Sequence, residues 1–191
     1  MGITRINNQA LTNVTSAGLP TLDHDKLPSG TVLQTVHKQS LTTSSLTSDS
    51  GGNQISALST NITPKSSSSK FLITVTICGE FSNSGQPYNS MFSISRTIGG
   101  THTELVASST GNRTAGIMTP TISFQVNASS TMEAASYQYV DSPNTTSQIT
   151  YAPRVKSNTS NTFYLNRTVS DTNNADYERG TSTIVIQEIA G

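Results

Sequence analysis

The feature that most constrains the fold is a series of short apolar runs that alternate with polar residues and end at turn residues. The clearest run is SKFLITVTIC at residues 69–78, in which Phe71, Ile73 and Val75 share one side of an extended chain. Because successive side chains of a strand point to opposite faces, this pattern predicts a strand with one face in a core. No segment carries a convincing apolar stripe of helical period, although EAASYQYV at 133–140 is ambiguous. The pattern therefore predicts an all-β chain.

Runs of the same style recur from residue 31 to the end of the chain. They are TVLQTVHKQSL (31–41), NQISALSTNI (53–62), YNSMFSISRTI (88–98), THTELVAS (101–108), TISFQVN (121–127), TMEAASYQYVDS (131–142), SQITYAPRVK (147–156), NTFYLNRTV (161–169) and TSTIVIQEI (181–189). Gly79 and the SNSGQP loop are expected to end the 69–78 strand, and Gly99-Gly100 predicts a hairpin turn. Pro153 predicts an edge strand or a bulge. About nine or ten strands at these spacings predict an antiparallel β-sandwich, a jelly roll, over residues 31–191.

The composition agrees with thin β-layers that carry a polar exterior. The chain of 191 residues contains 30 threonines, 30 serines and 15 asparagines, whereas charged residues make up only 12%. Threonine fits a pleated surface, and serine and asparagine supply turns. The formal net charge is zero, so nothing attracts a phosphate backbone or anionic lipid. We therefore expect neither nucleic acid nor membrane as a partner.

Residues 1–30 differ from the rest, because their apolar side chains follow neither period 2 nor period 3.6 and prolines interrupt them. Such a segment cannot bury its own apolar groups, so it is either disordered or packed against something else, and a partner chain is the natural candidate. We interpret residues 1–30 as an extended docking arm. Its candidate docking residues are Ile3, Ile6, Leu11, Val14, Leu19 and Leu22.

Side chains that usually carry chemistry are few and scattered. The histidines His24, His37 and His102 form no H-x-H or H-x-x-H spacing, and the single cysteine, Cys78, excludes a C-x-x-C pair. The strand position of Cys78 predicts a buried, unreactive thiol. No G-x-S-x-G turn and no Gly-rich phosphate loop occurs. We expect no catalytic residue, no metal and no cofactor.

The densest group of oxygen donors lies in SDTNNADYERG, at residues 170–180. Asp171, Asn173 and Asp176 are spaced loosely like a calcium loop, but the glycine and distal glutamate of that loop are absent. We interpret the segment as a solvated hairpin turn. Its charged residues are also candidates for ion pairs between subunits. Together with a Thr/Val-rich sheet face, the candidate subunit contacts are Tyr137, Tyr139, Asp176 and Arg179.

Several segments together resemble a known group of virion proteins. They are LPSGTVLQTV, ITPKSSSSKFLITV, SISRTIGG, YVDSPNTTSQITYAPRV and FYLNRTVSDTNNADYERGTSTIVIQEIA, which span about residues 28–190. Their order is similar to that of jelly-roll virion structural proteins of cyanophages and other environmental tailed bacteriophages, often called tail fibres. The resemblance implies an antiparallel jelly roll, often a homotrimer, on the particle exterior, and it brings no catalytic motif.

The arm decides between two roles that this resemblance allows. A fibre needs a coiled-coil or repetitive shaft, and the chain shows neither heptads nor repeats. An extended arm of this length reaches roughly 100 Å, enough to lie across a shell or clasp a neighbour. We therefore expect a trimeric head cement or decoration protein on the virion surface, made in the bacterial cytoplasm and docked on the major capsid protein. The alternatives are a module on the tail hub that recognises a host surface glycan, and a carbohydrate-active enzyme or metal-dependent lectin.

Overall fold

The computed structural model describes residues 24–82, 89–108, 111–120, 130–158 and 160–191. In these ranges the chain forms eleven strands and two short 3-10 turns, His24–Lys26 and Ser56–Leu58. The strands are β1 Val32–Ser40, β2 Ser44–Ser48, β3 Asn53–Gln54, β4 Thr60–Ile62, β5 Lys70–Phe81, β6 Ser90–Ile98, β7 Thr101–Leu105, β8 Glu133–Asp141, β9 Ile149–Ser157, β10 Asn161–Leu165 and β11 Ser182–Ile189. The expectation of an all-β chain is confirmed, and the ambiguous segment at 133–140 lies in a strand, β8.

The strands form two antiparallel sheets whose order is that of a jelly roll. The larger sheet contains β8, β5, β11 and β1 side by side, and the smaller contains β7, β6 and β9 with β3 and β4 along the last edge. We treat β3 and β4 as one interrupted strand and set aside the short pair β2 and β10, which leaves eight strand positions. The larger sheet then has the order first, eighth, third, sixth, and the smaller has second, seventh, fourth, fifth. The chain is therefore an antiparallel β-sandwich of jelly-roll topology, as predicted.

The core lies between the two sheets and is built from alternate residues of each strand. The larger sheet contributes Phe71, Ile73, Val75, Ile77, Tyr137, Phe163, Ile184 and Ile186, and the smaller contributes Phe92, Ile94, Leu105, Ile149, Tyr151 and Val155. The ring of Phe163 lies 4.9 Å from that of Phe81 and 5.6 Å from that of Phe92. These aromatic contacts join the two layers at one end of the sandwich.

β5 is longer than its sequence indicated, because Gly79 does not end it. The strand continues through Glu80 to Phe81, and residues 79–81 pair with β10. A side chain at position 79 would overlap the backbone oxygen of Tyr164 and come within 2.5 Å of the ring of Phe163. Glycine is therefore needed here for the close approach of β10 rather than for a turn.

The prediction for Pro153 is also corrected, since β9 is an interior strand. It pairs with β6 on one side and with β3 and β4 on the other. The carbonyl of Pro153 accepts a hydrogen bond from the Ile55 N–H at 2.8 Å, so its nitrogen faces the interruption between β3 and β4. The missing N–H thus costs no ladder bond.

Of the other local features, one confirms a prediction, one was not predicted, and the rest lie outside the described residues. Gly99 and Gly100 have positive φ angles of 54° and 83° and join β6 to β7, so the predicted hairpin is confirmed. Strand β2 was not predicted as a separate element. The candidate strand at 121–127 and most of the SNSGQP loop lie outside the described residues, as do the docking residues Ile3, Ile6, Leu11, Val14, Leu19 and Leu22.

The chain enters the sandwich beside its own C-terminus. The Gly30 N–H donates to the carbonyl oxygen of Ala190 at 2.8 Å, and the Ala190 N–H donates to that of Thr31 at 2.8 Å. These bonds extend the pairing of β1 with β11 beyond Val32 and Ile189. The end of the segment that we interpret as an arm is therefore fixed to the edge of the larger sheet.

Asn166 connects three parts of the larger sheet through its side chain. It is fully buried, and its Nδ2 donates to the carbonyl oxygens of Ser40 at 2.9 Å and Thr42 at 3.0 Å. Its Oδ1 accepts a hydrogen bond from Ser182 Oγ at 2.7 Å. The residue has a φ of 59°, a left-handed conformation that asparagine tolerates better than most residues. One amide thus ties the β1–β2 connection to the beginning of β11.

Candidate interaction surface

The outer face of the larger sheet, opposite the core, is a regular surface formed by four adjacent strands. Direct cross-strand partners place its side chains in three rows that run from β1 across β11 and β5 to β8. We call this surface the outer face and define it by Thr35, Gln187, Leu72, Val140; His37, Val185, Thr74, Gln138; and Gln39, Thr183, Thr76, Ser136.

No aspartate, glutamate, lysine or arginine occurs among these twelve residues. Short polar contacts hold some of them in place: Gln138 Nε2 donates to Thr74 Oγ1 at 3.2 Å, and the Thr76 and Ser136 hydroxyls are 3.3 Å apart. Val140 keeps 58% of its surface exposed. Such a face can be dehydrated without removing any formal charge from water, which is the costly step in burying a surface.

The outer face of the smaller sheet has the opposite character. Lys156 Nζ lies 3.2 Å from Glu104 Oε2, and Ser93 Oγ donates to Glu104 Oε1 at 2.6 Å. Arg154 donates to the carbonyl oxygens of Gly51 and Gly52 at 2.9 and 2.6 Å. Charged side chains that are already paired within the chain are costly to move from water into a contact. The twelve residues of the outer face thus carry no charge, although the exposed Lys70 lies one row beyond them on the same side of β5, whereas the outer face of the smaller sheet is charged.

The size of the outer face limits what it can bind alone. Four strands about 4.8 Å apart, each contributing five residues of about 3.4 Å, cover roughly 300–400 Å². A stable protein interface usually buries about 800 Å² on each partner. The outer face by itself therefore supplies about half of a standard interface, and a stable complex needs a second contact.

Two of the predicted subunit contacts lie on the opposite side of the sheet. Tyr137 is only 5% exposed, and its hydroxyl donates to the carbonyl oxygen of Ser93 in the other sheet at 3.2 Å. Burial raises the pKa of this phenol above its ordinary range. Tyr139 packs against the core as well. The burial of Tyr137 corrects the prediction for that residue, because the period of two turns it inward and turns Ser136, Gln138 and Val140 outward. Tyr139 is half-buried, and its role between subunits stays a prediction.

The other two predicted contacts lie in the connection between β10 and β11. Asp176 is exposed, and Arg179 forms an ion pair with Asp171 of the same chain. Their role between subunits stays a prediction. His37 and His102 point outward on opposite sheets, as their alternation indicated. Cys78 is half-buried rather than buried, since it belongs to the outward-facing residues of β5.

A buried polar cluster joins the two sheets where β8 ends. Asp141 of β8 lies 2.7 Å from the Arg96 guanidinium of β6 and accepts a hydrogen bond from the Tyr151 hydroxyl of β9 at 2.8 Å. Burial raises the pKa of Tyr151 above its ordinary range, and the Asp141 charge raises it further. The cluster fixes the beginning of the exposed 141–147 loop. The sequence held no signal for it, because its three members are far apart along the chain.

Within the described ranges, no three histidine, cysteine, aspartate or glutamate side chains gather into a group that could hold a metal ion. In the same ranges, no helix has the length and apolar character needed to cross a membrane.

No protein-family model and no curated protein matches the chain. Among solved structures, it is similar to the VP2 subviral particle of infectious bursal disease virus, with 11% identity, a TM-score of 0.36, and coverage of 83% of this chain and 42% of that one. A structure of the Gx strain of the same virus gives 14% identity, a TM-score of 0.34, and coverage of 82% and 39%. The chain thus spans about two fifths of these proteins, and the fold assignment rests on its own strand order.

Proposed function

We propose that this protein is a non-enzymatic structural protein on the outer surface of a tailed-phage virion, a head cement or decoration protein that acts as a homotrimer. The observation that carries the proposal is the uncharged outer face of the larger sheet. Subunits that assemble with one another on a shell must dehydrate a broad area at little cost, and this face meets that need where one copy packs against another. The sequence resemblance to jelly-roll virion proteins supports the same role.

The arm supplies the second contact that the size of the outer face requires. In the proposed complex, the outer face packs against a second copy of the chain, and the arm, residues 1–30, contacts capsid subunits. Binding to the assembled shell alone stabilises that state by mass action. Because the Gly30 N–H is hydrogen-bonded to Ala190, the arm leaves the sandwich at the β1–β11 edge.

The role in the particle is tested by comparing virions with and without this protein. Particles that lack it should release their genome at a lower temperature and at a smaller osmotic step. Equal resistance of the two kinds of particle would exclude a cement function. Rebinding of purified protein to the depleted particles should restore the resistance.

The arm is tested in the same rebinding assay with full-length variants. Substituting Ile6, Leu11 and Val14 together by serine removes apolar groups from the proposed docking residues. We expect weaker binding to depleted particles and an unchanged thermal unfolding temperature of the free protein. A matched control replaces Asn7 and Asn8 by serine in the same segment, and it should bind like the wild type. Equal binding by both variants would contradict the docking role.

The homotrimer is tested by measuring the molar mass of the purified chain in solution. Val140→Asp places a charge in the outer face at a position that is already 58% exposed, so the fold should tolerate it. We expect this variant to dissociate into monomers, whereas Thr97→Asp on the smaller sheet should keep the wild-type mass. A monomeric wild-type chain at every concentration would refute the trimer.

A tail-associated module that recognises a host glycan is the second candidate. The observation that favours it is the anchoring of the exposed 141–147 loop by Asp141, which holds a potential contact loop on a rigid base. Under this alternative, purified protein should bind host cells and block phage adsorption. Immuno-labelling that covers the head uniformly would contradict it.

A further inference from the structure

A polar cleft lies in the connection between β10 and β11, a feature that is separate from the outer face. Its volume is about 290 Å³. The side chains around it offer one carboxylate, one hydroxyl, two amides, one phenol and one guanidinium. They are Asp171, Thr172, Asn173, Asn174, Tyr177 and Arg179. No aliphatic side chain lines the cleft, so it does not suit an apolar ligand.

The wall of the cleft is held by hydrogen bonds within the loop. The Asn174 N–H donates to the carbonyl oxygen of Thr172 at 2.8 Å, and the Tyr177 N–H donates to that of Asn174 at 3.2 Å. Asn174 Oδ1 also accepts the Asp176 N–H at 3.2 Å. These bonds order the residues that face the cleft before any ligand arrives, which lowers the entropy cost of binding.

Arg167 anchors Asp171 but does not itself line the cleft. Its guanidinium lies 4.3 Å from the centre of the Tyr164 ring and donates to the carbonyl oxygen of Val169 at 3.0 Å. It also lies 3.7 Å from Asp171 Oδ2, while Asp171 Oδ1 pairs with Arg179. The carboxylate that lines the cleft is therefore paired with two guanidinium groups of the same chain, so it is not free to hold a cation.

We propose that this cleft binds a neutral saccharide. Because Asp171 and Arg179 pair with each other, neither offers a free charge to a cation or an anion. The amides and hydroxyls both donate and accept hydrogen bonds, as sugar hydroxyls do. The half-buried Tyr177 ring adds an apolar plate for the C–H face of a sugar. The volume is near the lower limit of roughly 300 Å³ for small-molecule sites, which fits a single sugar ring.

The test uses the full-length protein and saturation-transfer NMR with the methyl glycosides of glucose, galactose, mannose and N-acetylglucosamine. We expect transfer to at least one of them, with a dissociation constant on the order of 1 mM. Asn173→Ala removes one amide from the cleft, and Tyr177→Phe removes the phenolic hydroxyl but keeps the ring. Each lost hydrogen bond should weaken binding about fivefold. Asn112→Ala, at an exposed position outside the cleft, is the matched control and should leave binding unchanged.

Three results would overturn the proposal. One is the absence of transfer to all four glycosides, and another is equal affinity of both cleft variants and the wild type. The third is an equal loss of affinity in the Asn112→Ala control. The thermal unfolding temperature of each variant shows that the fold is intact. The proposal stands apart from the proposed virion function, since loss of sugar binding with unchanged particle stability would leave that function in place.

Discussion

Replacing Asn166 should lower the free energy of unfolding for several independent reasons. Its side chain makes three hydrogen bonds, to Ser40, Thr42 and Ser182, and it holds a left-handed backbone conformation. Asn166→Ala removes all three bonds and places a less tolerant residue at a φ of 59°. Each bond contributes about 1 kcal/mol and the backbone conformation adds roughly 1 kcal/mol, so the variant should lose about 4 kcal/mol.

A second variant separates the two contributions. Asn166→Gly removes the same hydrogen bonds but adopts the left-handed conformation freely. It should therefore unfold with a free energy about 1 kcal/mol higher than that of Asn166→Ala, while staying well below the wild type. Asn144 provides the matched control, because it has a φ of 51° and is exposed. Asn144→Ala should cost roughly 1 kcal/mol only.

Urea unfolding measures these differences and is followed by far-ultraviolet circular dichroism, because the chain contains no tryptophan for fluorescence. Thermal unfolding checks the result. A loss of about 4 kcal/mol corresponds to a decrease of roughly 8–16 °C in the unfolding temperature of a domain of this size. Equal losses of free energy in Asn166→Ala and Asn144→Ala would exclude a stabilising role for the hydrogen bonds of Asn166. A stability of Asn166→Gly equal to that of the wild type would exclude it as well, since the hydrogen bonds would then contribute nothing.

Two further predictions concern buried polar groups. Burial, and next the charge of Glu80, raises the pKa of Glu133 from 4.5 to about 7; the folded chain thus holds this proton more tightly than the unfolded chain. The stabilisation is complete below about pH 4.5 and is lost as pH rises through 7, by roughly 1–2 kcal/mol after allowance for solvent screening. Glu133→Gln should flatten this part of the urea stability profile between pH 5 and 8, and a profile parallel to the wild type would contradict the assignment. Tyr151→Phe removes a hydrogen bond to the Asp141 carboxylate and should cost about 2 kcal/mol, whereas Tyr164→Phe, a partly exposed tyrosine, should cost less than half as much; equal losses would argue against the inter-sheet cluster.

The outer face could be predicted only in part from the sequence. The abundance of threonine and valine in alternating runs indicates a sheet face of low charge. Which strands share that face depends on the pairing of β1 with β11 and of β5 with β8, and these partners are separated by many residues. Tyr137 illustrates the difficulty, because an aromatic residue in a strand suits a contact or a core equally well. Only the register with Val75 places it inward.

The sequence by itself determined the class of fold, the position of most strands and the Gly99-Gly100 hairpin. Each of these follows from local rules, since a period of two and a two-glycine turn act over a few residues. The tertiary structure alone decided that Gly79 continues a strand, that Pro153 lies in an interior strand, and that charged side chains are sparse on the outside of the larger sheet but frequent on that of the smaller sheet. These outcomes depend on which distant segment approaches each residue. The packing of distant segments, rather than the local conformational preference of each residue, therefore determines which surface of this protein is available to a partner.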